Sequence, residues 1–170
     1  YRMFGTSSAK ANDMRAAGIV NKCIRVREGK MPLPAYADND SFKVYMVDTG
    51  LLCSKFEIAA NIVLSSSPSF DGFKGALAEN YVMQALVTNG ISPYYWSSQG
   101  KAELDFVFQD RKGNIVPLEC KSADNVRAKS LKTFISLYEP AYSVRVSAKN
   151  FGFENGIKSV PLYAVFCLKG

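Results

Sequence analysis

Residues 102–121, AELDFVFQDRKGNIVPLECK, constrain this chain more than any other stretch. Two runs that alternate in polarity flank the polar turn DRKGN, which is the pattern of a β-hairpin. A period of two puts Leu104, Phe106 and Phe108 on one face of the first strand, and Glu103, Asp105 and Val107 on the other. In the second strand Val116, Leu118 and Cys120 share a face, with Glu119 and Lys121 opposite. Pairing the strands with those faces matched sets Asp105, Glu119 and Lys121 on one surface. Two carboxylates and an ammonium converging there can hold a divalent cation and steady a water beside it.

Composition narrows the chemistry open to such a site. The chain has no histidine, which removes Ser-His-Asp and Cys-His catalysis, His-ligated zinc and a histidine general base. Any hydrolysis must then run on carboxylates, lysine and metal. Cys23, Cys53, Cys120 and Cys167 lie far apart and form no CxxC, so buried reduced thiols in a cytoplasmic protein are expected. The net charge of +6 is spread over both halves, which permits nucleic-acid binding without demanding it. No apolar run is long enough to span a membrane, so no membrane partner is expected. The chain opens on Tyr1 rather than Met and is expected to be a fragment with a missing upstream part.

Along the chain, residues 7–20 read as a short helix capped by Ser7 or Ser8 and stopped by Gly18. Ile19–Arg27 alternates as a strand, GKMPLPAYADND reads as a loop, and Phe42–Val47 as a second strand. Asp48 caps a helix running to about Ala60. A helix followed by two strands suits either the tail of a winged-helix arrangement or a plain connector. The linker-like SSSPS at 65–69 sets the expected boundary, giving units of residues 1–67 and 68–170.

The strongest helix follows, FDGFKGALAENYVMQALVTNG, closed by Asn89-Gly90. Its apolar stripe reads Gly72, Gly75, Ala76, Glu79, Val82, Met83 and Leu86. A carboxylate inside such a stripe is costly unless paired, protonated or bound to metal. Alternatively Glu79 sits at the helix edge and bonds a backbone group or a lysine. Pro93–Ser97 then reads as a strand, the hairpin follows, Asn125–Tyr138 reads as a helix, and Tyr142–Ala148 and Ser159–Leu168 read as strands. From Gly72 to Ala148 the expected order is α-β-β-β-α-β, a mixed α/β fold.

Glu-x-Lys on a strand is trivial alone, since exposed strands often alternate charges. With Asp105 on the partner strand and Glu79 on the preceding helix, it resembles the PD-(D/E)XK, or restriction-endonuclease-like, nuclease superfamily. Leu104 stands where a proline precedes the Asp in that superfamily's motif. More narrowly, FKVYMVDTGLL, FKGALAENYVMQAL, YYWSS, AELDFVF, IVPLECKS, AKSLKTF and VPLYAV resemble the C-terminal region of bacterial AAA-family ATPases, a domain of unknown function assigned a nuclease-like fold. That resemblance implies an upstream ATPase domain in the same chain, nucleic acid (DNA first) as partner, and Mg²⁺ or Mn²⁺ as cofactor.

The resemblance also implies roles. Glu79, Asp105, Glu119 and Lys121 would be the catalytic set. Asp105 and Glu119 would ligate the metal with the Cys120 carbonyl, and Glu79 would ligate through water or complete a second position. Lys121 would orient the attacking water. Arg127, Lys129 and Lys132 would reach phosphates, or else be solvated surface charges. Two non-enzyme alternatives stand beside this: a nucleic-acid-binding module whose four residues form a salt-bridge cluster, or a module that docks on and regulates the ATPase.

Overall fold

The computed structural model describes residues 7–64, 70–98, 102–121 and 129–169. Ser7 caps helix α1 (Ser8–Ala16) by accepting a hydrogen bond from Lys10 N, and Gly18 turns the chain with φ +69°. Strand β1 (Val20–Val26) pairs antiparallel with β2 (Ala37–Met46). β2 begins inside the stretch that composition marks as a loop, because Ala37 and Asp38 find partners in Val26 and Arg25 across an irregularity in the ladder. Asp48 caps α2 (Thr49–Lys55) by accepting from Leu51 N at 3.0 Å. The expected long helix is broken at Glu57, whose φ is +53°, and a second short helix, α3, follows at Ala60–Leu64. The SSSPS stretch at 65–69 lies outside the described residues.

Helix α4 (Asp71–Thr88) leads into β3 (Tyr94–Ser98), the hairpin β4 (Ala102–Gln109) and β5 (Ile115–Cys120), α5 (Lys129–Tyr138) and β6 (Ser143–Ser147). This is the α-β-β-β-α-β order expected. The closing strand departs from expectation. A hairpin of β7 (Gly152–Glu154) and β8 (Ile157–Pro161) turns at Asn155-Gly156, both with positive φ, and Leu162–Cys167 is a 3₁₀ helix.

Among the described residues, eight strands form one mixed sheet in the order β2-β1-β3-β4-β5-β6-β8-β7. The segment expected as a winged-helix-like remnant or connector therefore supplies two strands of that sheet. They join through a parallel pairing of β1 with β3, Ile24 opposite Tyr94. α4 and the 3₁₀ helix cover one face, over Cys23, Tyr45, Tyr95, Phe106, Leu118 and Val144. α5 covers the other, where Trp96, Phe134 and Tyr138 meet in tilted and edge-on contacts 4.7–5.9 Å apart. Among the described residues, no helix is long and apolar enough to cross a membrane.

Within α4 the buried face lies about one residue round from the expected stripe. Leu77, Ala78, Asn80, Val82, Met83, Ala85 and Leu86 are buried, while Glu79 sits at the margin, only half-buried. The buried polar residue is Asn80. Its Oδ1 accepts from Met46 N at 2.8 Å and its Nδ2 donates to Met46 O at 3.2 Å, clasping α4 to β2. Both backbone groups of the half-buried Met46 are thereby satisfied.

Candidate active site

The hairpin does not keep simple alternation. β4 pairs Leu104 with Trp96 but Val107 with Tyr94, so Asp105 and Phe106 together oppose the single residue Tyr95. This is a β-bulge, which inserts one residue and re-aims its neighbours. Leu104 consequently packs with the α5-side cluster, while Phe106 and Phe108 pack under α4. The expectation that Leu104, Phe106 and Phe108 share a face is corrected by that extra residue. The bulge sends Asp105 to the α4 side, level with Tyr95.

The β4–β5 ladder also stops at Phe106 opposite Leu118. Beyond it the strands fork, and Asp105 Oδ2 accepts the Cys120 N–H at 2.8 Å across the fork. A carboxylate thus takes up a backbone donor that the ladder leaves over. Burial, and after it the charge of Glu79, pushes the Asp105 carboxyl up to about 7, against the downward pull of the Cys120 N–H, Lys43 and Lys121.

Three residues from other elements complete the α4 side of the fork. Glu79 Oε2 accepts from the Tyr45 hydroxyl at 3.3 Å. Lys43 is buried, with Nζ 2.7 Å from Glu103 Oε1 and 5.0 Å from the centre of the Tyr95 ring. Burial opposes the charge on Lys43, but the Glu103 bond and the charges of Glu79, Glu103 and Asp105 together hold its pKa above the ordinary value.

Glu119 and Lys121 stand differently. Leu118 and Cys120 belong to the α4-side core, so alternation turns Glu119 to the α5 side, against the expectation that it shares a surface with Asp105. Glu119 is 3 % exposed, its Oε1 lies 2.9 Å from Lys121 Nζ, and its Oε2 has no hydrogen-bond partner. Burial disfavours the charge of Lys121, yet the hydrogen bond and charge of Glu119, with Asp105 behind them, raise its pKa. Lys121 is therefore the link between the two sides, bonded to one acid and close enough to the other to lower its pKa.

Among the described residues, no three acidic, thiol or imidazole groups gather closely enough to enclose a metal ion. The fork offers instead a pair of acids, Asp105 with Glu79, while the open oxygen of Glu119 lies on the other side of the sheet. Mg²⁺ is often bound through one or two carboxylates with waters and substrate phosphates, and such a donor set fits that mode rather than a closed cage. Burial pushes the Cys23 thiol up to about 12 and Cys120 well above its ordinary value, which disfavours both as thiolates, whereas Cys53 is half-buried and Cys167 exposed, against the expectation that all four are buried. Of the basic residues expected to reach phosphates, Lys129 and Lys132 lie on α5, with Lys132 exposed, and Arg127 falls outside the described residues. Lys43 and Tyr45 were missed from the sequence because nothing local to FKVYMV marks two of its residues as neighbours of Asp105.

A mixed α/β sheet covered on both faces, with a carboxylate fork at one end of its central hairpin, defines the class of this protein. The family described as a domain of unknown function, DUF4143, matches residues 74–165, and the chain belongs to that family. No curated protein and no solved structure matches it. The matched span carries Glu79, Asp105, Glu119 and Lys121, while Lys43 and Tyr45 come from before it.

Proposed function

We propose that this domain is a divalent-metal-dependent nuclease of the PD-(D/E)XK type, joined in its full-length protein to an AAA-family ATPase. The observation that supports this best is the fork. A bulge and the end of the β4–β5 ladder together aim Asp105 beside Glu79, and burial with like charge lifts its carboxyl to about 7. A fold that only needed stability would gain by replacing such a pair, since two like charges drawn together in a partly desolvated place destabilise it. Asp105 and Glu79 would hold Mg²⁺ or Mn²⁺, and Glu119, on the other face, would act through its bond to Lys121. When bound, the cation supplies charge neutralisation at a phosphodiester and a water of lowered pKa. Lys121, held by Glu119, would orient that water or meet the charge that develops on phosphate oxygens. Lys43 and Tyr45 would keep Glu79 and Asp105 positioned.

A second reading, a nucleic-acid-binding or ATPase-docking module without catalysis, draws on the missing three-ligand cluster and on the Lys121–Glu119 ion pair. Metal-dependent nicking separates the two. Under the nuclease reading, purified protein nicks DNA in Mg²⁺ or Mn²⁺, and Asp105→Asn or Lys121→Ala abolishes this with the fold intact. Wild-type protein that binds nucleic acid but leaves it whole across DNA and RNA substrates would establish the second.

A further inference from the structure

Glu119, Arg145 and Ser159 are register neighbours on the adjacent strands β5, β6 and β8. Val144 and Val146 lie in the α4-side core, so Arg145 between them faces the α5 side. There it lines a groove of about 370 Å³ between α5 and the β8 hairpin, with Lys132, Ser136, Glu154 and Ser159. Arg145 Nε is buried without a hydrogen-bond partner, although Glu119 Oε2 on the next strand is equally unpartnered. The acid has given its other oxygen to Lys121 at 2.9 Å. The half-buried Arg145 is thus not spent on Glu119, and its charge is left to the groove that it lines.

The lining says which ligand. Two cations face one exposed carboxylate, Glu154, leaving a net single positive charge, and two serine hydroxyls can donate neutral hydrogen bonds. A metal cation is repelled by that set. A planar guanidinium beside an ammonium and hydroxyls matches a singly charged phosphodiester. We propose that this groove binds a backbone phosphate of a nucleic-acid strand, with Arg145 and Lys132 supplying charge and Ser136 and Ser159 supplying hydrogen bonds. The proposal rests on the nucleic-acid reading above and adds to it a contact on the face that Glu119 shares. Arg145 binds the strand here and takes no part in chemistry.

The test is binding of a short labelled DNA duplex by full-length chain in EDTA, where no cleavage occurs, over a series of salt concentrations. Arg145→Gln is expected to weaken binding roughly ten-fold. Arg145→Gln and Lys132→Gln are each expected to reduce the slope of log affinity against log salt by about 0.9. Lys132 is exposed, so its variant folds even if the Arg145 variant does not. Wild-type binding with both variants unchanged in slope overturns the groove and leaves the nuclease reading standing. An Arg145 that merely balances Glu119 would lower the melting temperature without altering the slope, and that also overturns it. A wild type that binds no duplex in EDTA overturns the groove, while the nuclease reading is judged separately by metal-dependent nicking and its loss in Asp105→Asn.

Discussion

Two aspartates five positions apart on one strand and its turn meet opposite fates. At the turn end of the hairpin, Asp110 accepts hydrogen bonds from Lys112 N, Asn114 N, Asn114 Nδ2 and the Tyr142 hydroxyl, all within 3.1 Å. Burial pulls its pKa upward, but those donors outweigh it and the carboxyl stays below its ordinary range. Tyr142 is pushed up to about 12 by its own burial and by that acid. At the fork end, Asp105 receives one backbone N–H and faces another carboxylate. The turn end is built to be stable; the fork end holds an ionisable group in a place that opposes its charge. The proposed function draws on that contrast, a strand with donors supplied fully at one end and sparsely at the other.

The contrast can be broken in order of effect. Asp105 has a folded-state pKa above its unfolded value, so the folded protein holds that proton more tightly. Its ionisation removes stability as pH rises from about 4 to about 7. Asp105→Asn keeps an acceptor for Cys120 N–H and should raise stability at pH 8 by on the order of 2–4 kcal/mol, flattening the profile in urea melts at pH 5 and pH 8. Asp110 behaves in the opposite sense. Its contribution is present above the ordinary carboxylate value and is lost as pH falls through its lowered one. Asp110→Ala should cost about 2 kcal/mol at pH 7 and progressively less as pH falls through its lowered pKa, as read from the same melts. Mn²⁺ at ten times its dissociation constant should stabilise wild type at pH 8 by about 1.4 kcal/mol and leave Asp105→Asn unmoved in thermal scans. The smallest effect belongs to Lys43→Met, which removes a cation lowering the pKa of Asp105. It should widen the gap in stability between pH 5 and pH 8 by about 1 kcal/mol.

Much of this architecture was legible from residues in chain order. Caps at Ser7 and Asp48, the closure of α4 at Asn89-Gly90, and the α-β-β-β-α-β sequence of elements all rest on local chemistry that a sequence displays. The bulge at Asp105 was not legible, because ELDF alternates and the apolar FVF that ends the run fixes no face, so only the Tyr95 partner reveals the extra residue. Asn80 was hidden for a related reason: a 3.6-residue period cannot fix the buried face to better than one position when polar residues flank it on both sides. The β7–β8 turn did carry a signal, Asn155-Gly156, the pair that most favours a two-residue hairpin. The apolar run after it concealed that signal. Lys43, Tyr45 and Arg145 reach their neighbours through pairings tens of residues away, which no local pattern encodes.

The parallel seam between β1 and β3 decides how this protein can be cut. A piece trimmed to residues 74–165 would lose both strands beyond β3, strip Val26 and Leu33 from around Trp96, and take Lys43 from above Tyr95. The bared rim of β3 would then be a template for association with other chains. The unit that inheritance has marked out is thus smaller than the unit that can stand in water, and the latter begins no later than Val20.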